Sequence, residues 1–401
     1  MHCRPTPWLS HCFARIAAAL LIAYGALIAS IVPVFAQSAD VTLKSPQAIL
    51  MDADSGGVLF QRNGDDLVSP ASMSKLMLLI LLFNALRSGE VTLETEVLMS
   101  EHAWRTGGAP SRGSAMFVPL GKTAKVDELL RGIVVQSGND ASIAIAEKLA
   151  GSEEAFAQAM TQEARRLGLS KSVFRNATGL YHPDHLVTVR ELAMIARIII
   201  KNYPEYYPLF AQREFAYRHH KFTNRNPLLG LIAGVDGLKT GYIKEAGYGI
   251  VASAKVDNRR LILAINGAAT PEERRDDARR LFDWGFKTFS EAKLFDVGEV
   301  VGHARVWGGE RMYMPLTGGN GGVHVVLPRF PANQKVSARI LYKGPLMPPI
   351  RKGEQVATLR VTTSTEASNE VPLFAAETVE RAGFMRRGLD SIVYFATRWM
   401  R

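Results

Sequence analysis

The chain has 401 residues, 47% hydrophobic and 21% charged, enough for two globular domains and unlike a disordered, repeat-built or low-complexity chain. Its two cysteines, Cys3 and Cys12, both fall near the N-terminus. The body of the protein is therefore expected to carry neither a disulfide framework nor a thiolate metal site. The net charge of +10 is scattered, with no zinc-finger or RNA-recognition signature, so nucleic acid is not the expected partner.

Residues 1–36 read as a secretion signal. Arg4 and Arg15 are its basic part, Ile16 to Val34 its apolar stretch, and Val34-Phe35-Ala36 places small residues before a cleavage point at Gln37. The stretch is also long enough for an uncleaved anchor. Either way the remainder is exported to the periplasm, which makes anionic lipid or cell-wall polymer the fitting partner for a basic protein.

Two short apolar runs, Ala48 to Met51 and Gly57 to Phe60, flank a turn at Asp52-Ala-Asp-Ser-Gly-Gly57 and predict a hairpin. A helix over 72–88 follows, ended by Ser88-Gly89. Its run from Leu76 to Phe83 is apolar on every side, which predicts a helix buried at the centre of a domain. At its start stands Ser72-Met-Ser-Lys75. A serine hydroxyl needs a base to act as a nucleophile, and residues three apart on a helix share a face, so this spacing supplies both.

Helical periodicity continues over Val126–Lys148, Glu153–Leu167 and Val189–Asn202, with Ser137-Gly-Asn139 inside the first of these. Lys239-Thr-Gly-Tyr242 precedes strands over Gly247–Val256 and Arg259–Gly267, and a helix over Glu272–Phe289 closes the region. This order predicts an α+β fold, an antiparallel sheet with helices on its faces and a separate helical lobe. Helical patterns vanish over 295–373. Strands at Val323–Leu327, Lys335–Tyr342 and Gln355–Val361 alternate with Gly-rich turns, which predicts a small β-rich domain in which His303 and His324 are surface residues rather than metal ligands.

The tail changes character again. On a helical projection Met385, Leu389, Ile392, Val393, Ala396, Trp399 and Met400 fall on one arc, and Arg386, Arg387, Asp390, Arg398 and Arg401 on the other. This basic amphipathic pattern predicts attachment to an anionic membrane surface, here the outer face of the inner membrane. The expected organisation is thus a signal at 1–36, a catalytic domain at 41–290, a β-rich domain at 291–375 and a membrane-associated tail at 376–401.

Ser-x-x-Lys, Ser-x-Asn and Lys-Thr-Gly, in that order, resemble the signature of the penicillin-binding proteins and serine β-lactamases. The segments PASMSKLM, VVQSGNDASIAIAEKLAG, NATGLYHPDHLVTVRELAMIA, NRNPLL and VDGLKTGYIKEAGYGIVASA resemble more narrowly the D-alanyl-D-alanine carboxypeptidases of the penicillin-binding protein 5 type. The resemblance implies a penicillin-binding, β-lactamase-like domain and a serine carboxypeptidase that removes the terminal D-alanine of peptidoglycan stem pentapeptides, binds β-lactams and needs no cofactor or metal. It assigns Ser72 as acyl-ester nucleophile, Lys75 as general base, Ser137 as proton relay and Asn139 as a hold on the substrate backbone. Lys239 and Thr240 would bind the substrate, and Lys239 would also lower the Lys75 pKa by like-charge repulsion. Gly241 belongs to the same motif, the N–H groups of Ser72 and Tyr242 would form the oxyanion hole, and Arg274 and Arg225 would meet the terminal carboxylate. Ile243 departs from the family, which often has threonine there.

Three other readings use the same motifs. A β-lactamase would need efficient deacylation, yet Tyr181-His-Pro-Asp-His185 offers no glutamate in the relevant loop. A DD-endopeptidase would share the whole site. A non-catalytic cell-wall binder is disfavoured by the intact Ser72, Lys75, Ser137, Asn139 and Lys239.

Overall fold

The computed structural model describes residues 41–329, 336–363 and 368–384. The secretion signal expected at 1–36 and the amphipathic arc from Met385 onward lie outside the described residues. A hairpin of β1 (Gln47–Asp52) and β2 (Val58–Arg62) opens the described chain, and β1 pairs along its length with β9 (Arg259–Ala268). Next in the sheet come β8 (Gly247–Val256) and then β7 (Val235–Ile243), every pair antiparallel.

Both faces of this sheet are covered, and its central strands accordingly read as nearly continuous apolar runs. Alternate residues of β1 go to opposite cores: Ile49 and Met51 join the helical lobe, while Ala48 and Leu50 pack beneath α7 (Pro271–Thr288). At the middle of the larger core lies α1 (Lys75–Ser88), with Leu76 to Ile80, Leu82 and Phe83 fully buried. Burying each such side chain stabilises the fold by about 1.5–3 kcal/mol. Among the described residues Ala71–Ser88 is the one stretch long and apolar enough to cross a membrane, but its apolar surface is spent on this core. Gly89 ends α1 in the left-handed conformation at φ +77°.

Around α1 stand α2 (Glu101–Gly107), α3 (Val126–Arg131), α4 (Asn139–Ala150), α5 (Glu153–Arg166) and α6 (Val189–Asn202). Ser152, Thr188 and Thr270 cap α5, α6 and α7, each side chain accepting an N–H three residues on. The continuous helical pattern expected over Val126–Lys148 is broken. After α3 the backbone widens into a π turn over Gly132–Gln136, and Ser137 turns left-handed at φ +65° before α4 begins. Ile133, Val134 and Val135 stay buried through the wide turn, so the apolar periodicity runs on although the helix does not.

The C-terminal part is all β. Strand β10 (Phe289–Phe295) pairs with β13 (Val323–Pro328), β11 (Val300–Arg305) with β12 (Tyr313–Thr317), β14 (Val336–Leu341) with β15 (Gln355–Thr363), and β15 with β16 (Ser368–Ala375). It has its own core, centred on Met314, Leu316, Val325, Val361 and Leu373. Asn369 links it to the catalytic sheet: its amide spans the N–H and carbonyl of Val326 and lies 3.4 Å from Ser55 Oγ. The segment just after Ala375, which the sequence pattern grouped with the tail, is held in this part. Val379 pairs with Ile350 and is 1% exposed. His303 is exposed, and His324 pairs with Glu291 at 2.7 Å.

Candidate active site

Ser72 lies in a 3-10 turn, Ala71–Ser74, that leads directly into α1. The step into that turn is tight: Ala71 sits at φ +48°, and Gly179 approaches so closely that a Cβ there would overlap the Ala71 carbonyl. Lys75 Nζ is 2.9 Å from Ser72 Oγ, as the spacing requires. The ammonium end is fully buried and also reaches Asn139 Oδ1 at 2.7 Å and the carbonyl of Thr178 at 2.6 Å. Asn139 therefore orients the lysine through its oxygen, which leaves its amide NH2 as the group for the substrate contact expected of it.

The left-handed turn at Ser137 places both Ser137 and Asn139. Asn139 N donates to Ser114 O at 2.8 Å, and Arg225 N donates to Val135 O at 3.2 Å, which brings Asn224-Arg-Asn226 against the turn. Asn226 in turn donates to Gly237 O on β7 at 2.9 Å. The buried Asp140 carboxylate gathers the N–H groups of Met116, Phe117, Val118 and Ala141, and so fixes the segment that carries Ser114. Burial raises the Asp140 pKa, and those four donors oppose the rise. Ser137 Oγ is buried with no hydrogen-bond partner among the described residues.

Strand β7 forms the opposite wall. Gly241 runs beside the Ser72 turn so tightly that a Cβ would come within 2.9 Å of Pro70 O. Lys239 is 2% exposed and donates to Thr240 O at 3.1 Å. Between the walls is a cleft of about 340 Å³ lined by Ser72, Ser114, Ser137, Arg225, Thr240, Gly241, Tyr242, Tyr248 and Arg274. Larger hollows, of about 610 and 560 Å³, lie in the β-rich part and beside the β1–β2 hairpin, but neither pairs a serine with a lysine.

The cleft is strongly cationic. Burial, with a smaller push from Arg225, lowers the Lys75 pKa to about 7 against opposing pulls from Glu153 and Asp140. The Lys239 pKa is also lowered well below the usual lysine value, first by burial and then by repulsion from Lys75, Arg225 and Arg274. Water exclusion is thus the main cause of the Lys75 shift, and the repulsion expected between the two lysines is present in the pair. Arg274 is 8% exposed and, among the described residues, pairs with no carboxylate; Arg225 is exposed.

Every residue singled out in the sequence lies in or beside this cleft except Ile243, which ends β7 outside the lining. Sequence reasoning passed over the Thr178 carbonyl, Ser114, Tyr248, Asp140 and Glu153. Glu153 accepts the Ala177 N–H at 2.9 Å and so tethers the loop that presents Thr178 to Lys75. The Asn176-Ala-Thr-Gly179 turn was the available signal, since its glycine sits at φ +82° where other residues are strained. In that loop Asp184 turns to Arg175 at 3.7 Å and His185 is wholly buried, its pKa lowered to about 3 chiefly by burial.

Residues 34–270 match the family described as D-alanyl-D-alanine carboxypeptidase, and residues 289–381 match the penicillin-binding protein 5 C-terminal domain. D-alanyl-D-alanine carboxypeptidase DacC of Escherichia coli is 34% identical over 369 residues, covering 90% of this chain and 92% of that protein. Penicillin-binding protein 5 of Haemophilus influenzae superposes with a TM-score of 0.72 at 30% identity, covering 85% of this chain and 98% of that structure. A penicillin-binding protein of Listeria monocytogenes in its ampicillin-bound form gives a TM-score of 0.53 at 27% identity, over 62% of this chain and 99% of that one.

Proposed function

Because the chain belongs to the D-alanyl-D-alanine carboxypeptidase family and is a serine-type carboxypeptidase of that family, we propose that Ser72 carries its acyl-enzyme. Neutral Lys75 Nζ takes the Ser72 proton as Oγ attacks the penultimate D-alanine carbonyl of a peptide ending in D-Ala-D-Ala. The developing oxyanion is met by the N–H groups of Ser72 and Tyr242, a donor pair whose members are typically worth about 10²- to 10³-fold in rate each. When the C–N bond breaks, the leaving amine takes its proton by way of Ser137 Oγ, and the terminal D-alanine departs. Water then attacks the ester with the same lysine as base and restores Ser72.

The observation that carries this reading is the contact between a fully buried Lys75 and Ser72 Oγ at 2.9 Å, beside a cleft lined by Arg225 and Arg274, which form no ion pair among the described residues. Lys239, Thr240, Arg225 and Arg274 suit a substrate that ends in a free carboxylate. β-Lactams carry a reactive carbonyl and a carboxylate and would acylate the same serine. The loop over 176–187 offers no free carboxylate for rapid deacylation, which favours a carboxypeptidase over a β-lactamase. The purified protein should release D-alanine from a stem pentapeptide and lose that activity after benzylpenicillin treatment. Failure to release D-alanine would leave a penicillin-binding protein without this reaction.

The remaining proposals concern organisation. Residues 41–290 form the catalytic domain and those from 291 the β-rich domain, which extends past 375 to take in Val379, with 1–36 removed or retained as an export signal. The basic amphipathic pattern from Met385 onward supports a tail on the anionic outer face of the inner membrane.

A further inference from the structure

Arg274 is a nearly buried guanidinium held without a carboxylate. Its Nε has no hydrogen-bond partner among the described residues, and burial lowers its pKa. Glu272 acts on Arg274 only through space and forms no ion pair with it among the described residues, while Glu273 is engaged with Lys44, Asp276 with Arg275, and Asp277 with Ser45 and Arg280. The group that meets Arg274 is the ring of Tyr248, whose centroid lies 5.7 Å from the guanidinium carbon. Tyr248 in turn is the register partner of Tyr242 across β7 and β8, and their rings stack at 4.2 Å. Both rings and the arginine line the cleft that holds Ser72.

A ring face is a particular kind of support. An acidic partner would occupy the N–H donors of the guanidinium, whereas a cation–π contact holds the group in place and leaves its fork free for a ligand. We infer that the Tyr242–Tyr248 stack determines specificity at the leaving-group end of the cleft: Tyr248 positions Arg274 to accept a terminal carboxylate, and the stacked rings disfavour a chain that continues as an amide. This rests on the proposed carboxylate role of Arg274. A continuing chain brings no anion to that fork and leaves a desolvated cation unpaired, the kind of mismatch by which polar sites reject near-substrates. The stack thereby tilts the shared chemistry toward trimming chain ends and away from cutting cross-links.

The test compares kcat/KM for an acylated D-Ala-D-Ala peptide with a free C-terminal acid against the same peptide as its C-terminal amide. Wild type should prefer the acid. Tyr248→Leu should reduce that preference about tenfold, chiefly through a higher KM for the acid peptide. Tyr248→Phe, which keeps the ring, should restore it. Tyr242→Leu alters a half-exposed side chain and should shift the preference the same way by a smaller factor. An unchanged preference in both leucine variants overturns the inference, and so does a Tyr248→Phe variant as impaired as Tyr248→Leu. Arg274→Gln separates this inference from the reading beneath it: a collapsed preference there, with intact tyrosine variants, removes only the stack. An intact preference in Arg274→Gln removes the carboxylate role as well.

Discussion

A lysine in water gives up its charge near pH 10.5, and the fully buried position of Lys75 brings that point down to about 7. The fraction of neutral lysine, the form able to accept a proton, rises as pH passes upward through that value. Acylation by penicillin should therefore climb along a limb centred near pH 7 and flatten above it, read by stopped-flow or quench kinetics. The same shift has a stability consequence. Between about 7 and 10.5 the unfolded chain holds more protons on this group than the fold does, so its contribution to stability grows as pH rises across that window. Lys75→Arg should be nearly inactive, because a guanidinium stays protonated and cannot serve as a base; activity near wild type would remove lysine from that role. Ser72 and Lys75 were legible as a pair because one helical turn links them. The Thr178 carbonyl, which steadies the same lysine, was not, because a backbone acceptor a hundred residues away leaves no side-chain mark in the sequence.

At the scale of elements, what brings the catalytic groups together is close approach between turns. Gly179 lies against the Ala71 carbonyl in a left-handed conformation, so Gly179→Ala must displace either the Ser72 turn or the Thr178 carbonyl. A misplacement of about 1 Å typically costs on the order of 10²-fold in rate, and acylation should fall by about that factor while the thermal midpoint moves far less. Wild-type acylation in that variant would show that the two turns are not coupled. Most strands and helices could be read from the sequence because alternation and capping are local: β8, β9, α5 and α6 lie where the pattern put them. The break at Ser137 could not. The π turn keeps Ile133 to Val135 buried, and the left-handed serine is fixed by distant partners, Ser114 through Asn139 and Arg225 through Val135. The main cause of the Lys75 shift was not legible for a similar reason, since a count of neighbouring charges does not reveal how completely water is excluded.

For the whole molecule, catalysis and attachment are assigned to different parts of the chain, and every proposed catalytic residue precedes residue 290. Deleting everything after Phe384 spares Val379, which belongs to the β-rich core, and Ala382, which donates its N–H to Gly308 O, and removes the predicted amphipathic arc. The truncated, signal-cleaved protein should move to the soluble periplasmic fraction and retain D-alanine release from small soluble peptides. Sedimentation with membranes after that deletion would argue for a helix that docks on protein instead. The β-rich part was legible as a domain type, but its junction with the catalytic sheet was not. That junction is made by β16 pairing with β2, Ser368 opposite Val58, and by Asn369 lying 3.4 Å from Ser55, a tertiary arrangement with no local signature.

The most direct test of the account is the site of covalent attachment. Benzylpenicillin-treated protein, digested and mapped by tandem mass spectrometry, should carry one adduct, on Ser72, and Ser72→Ala should carry none while keeping the wild-type fold by circular dichroism. An adduct on Ser137 or any other residue, or an undiminished adduct in Ser72→Ala, would contradict the assignment on which the mechanism rests.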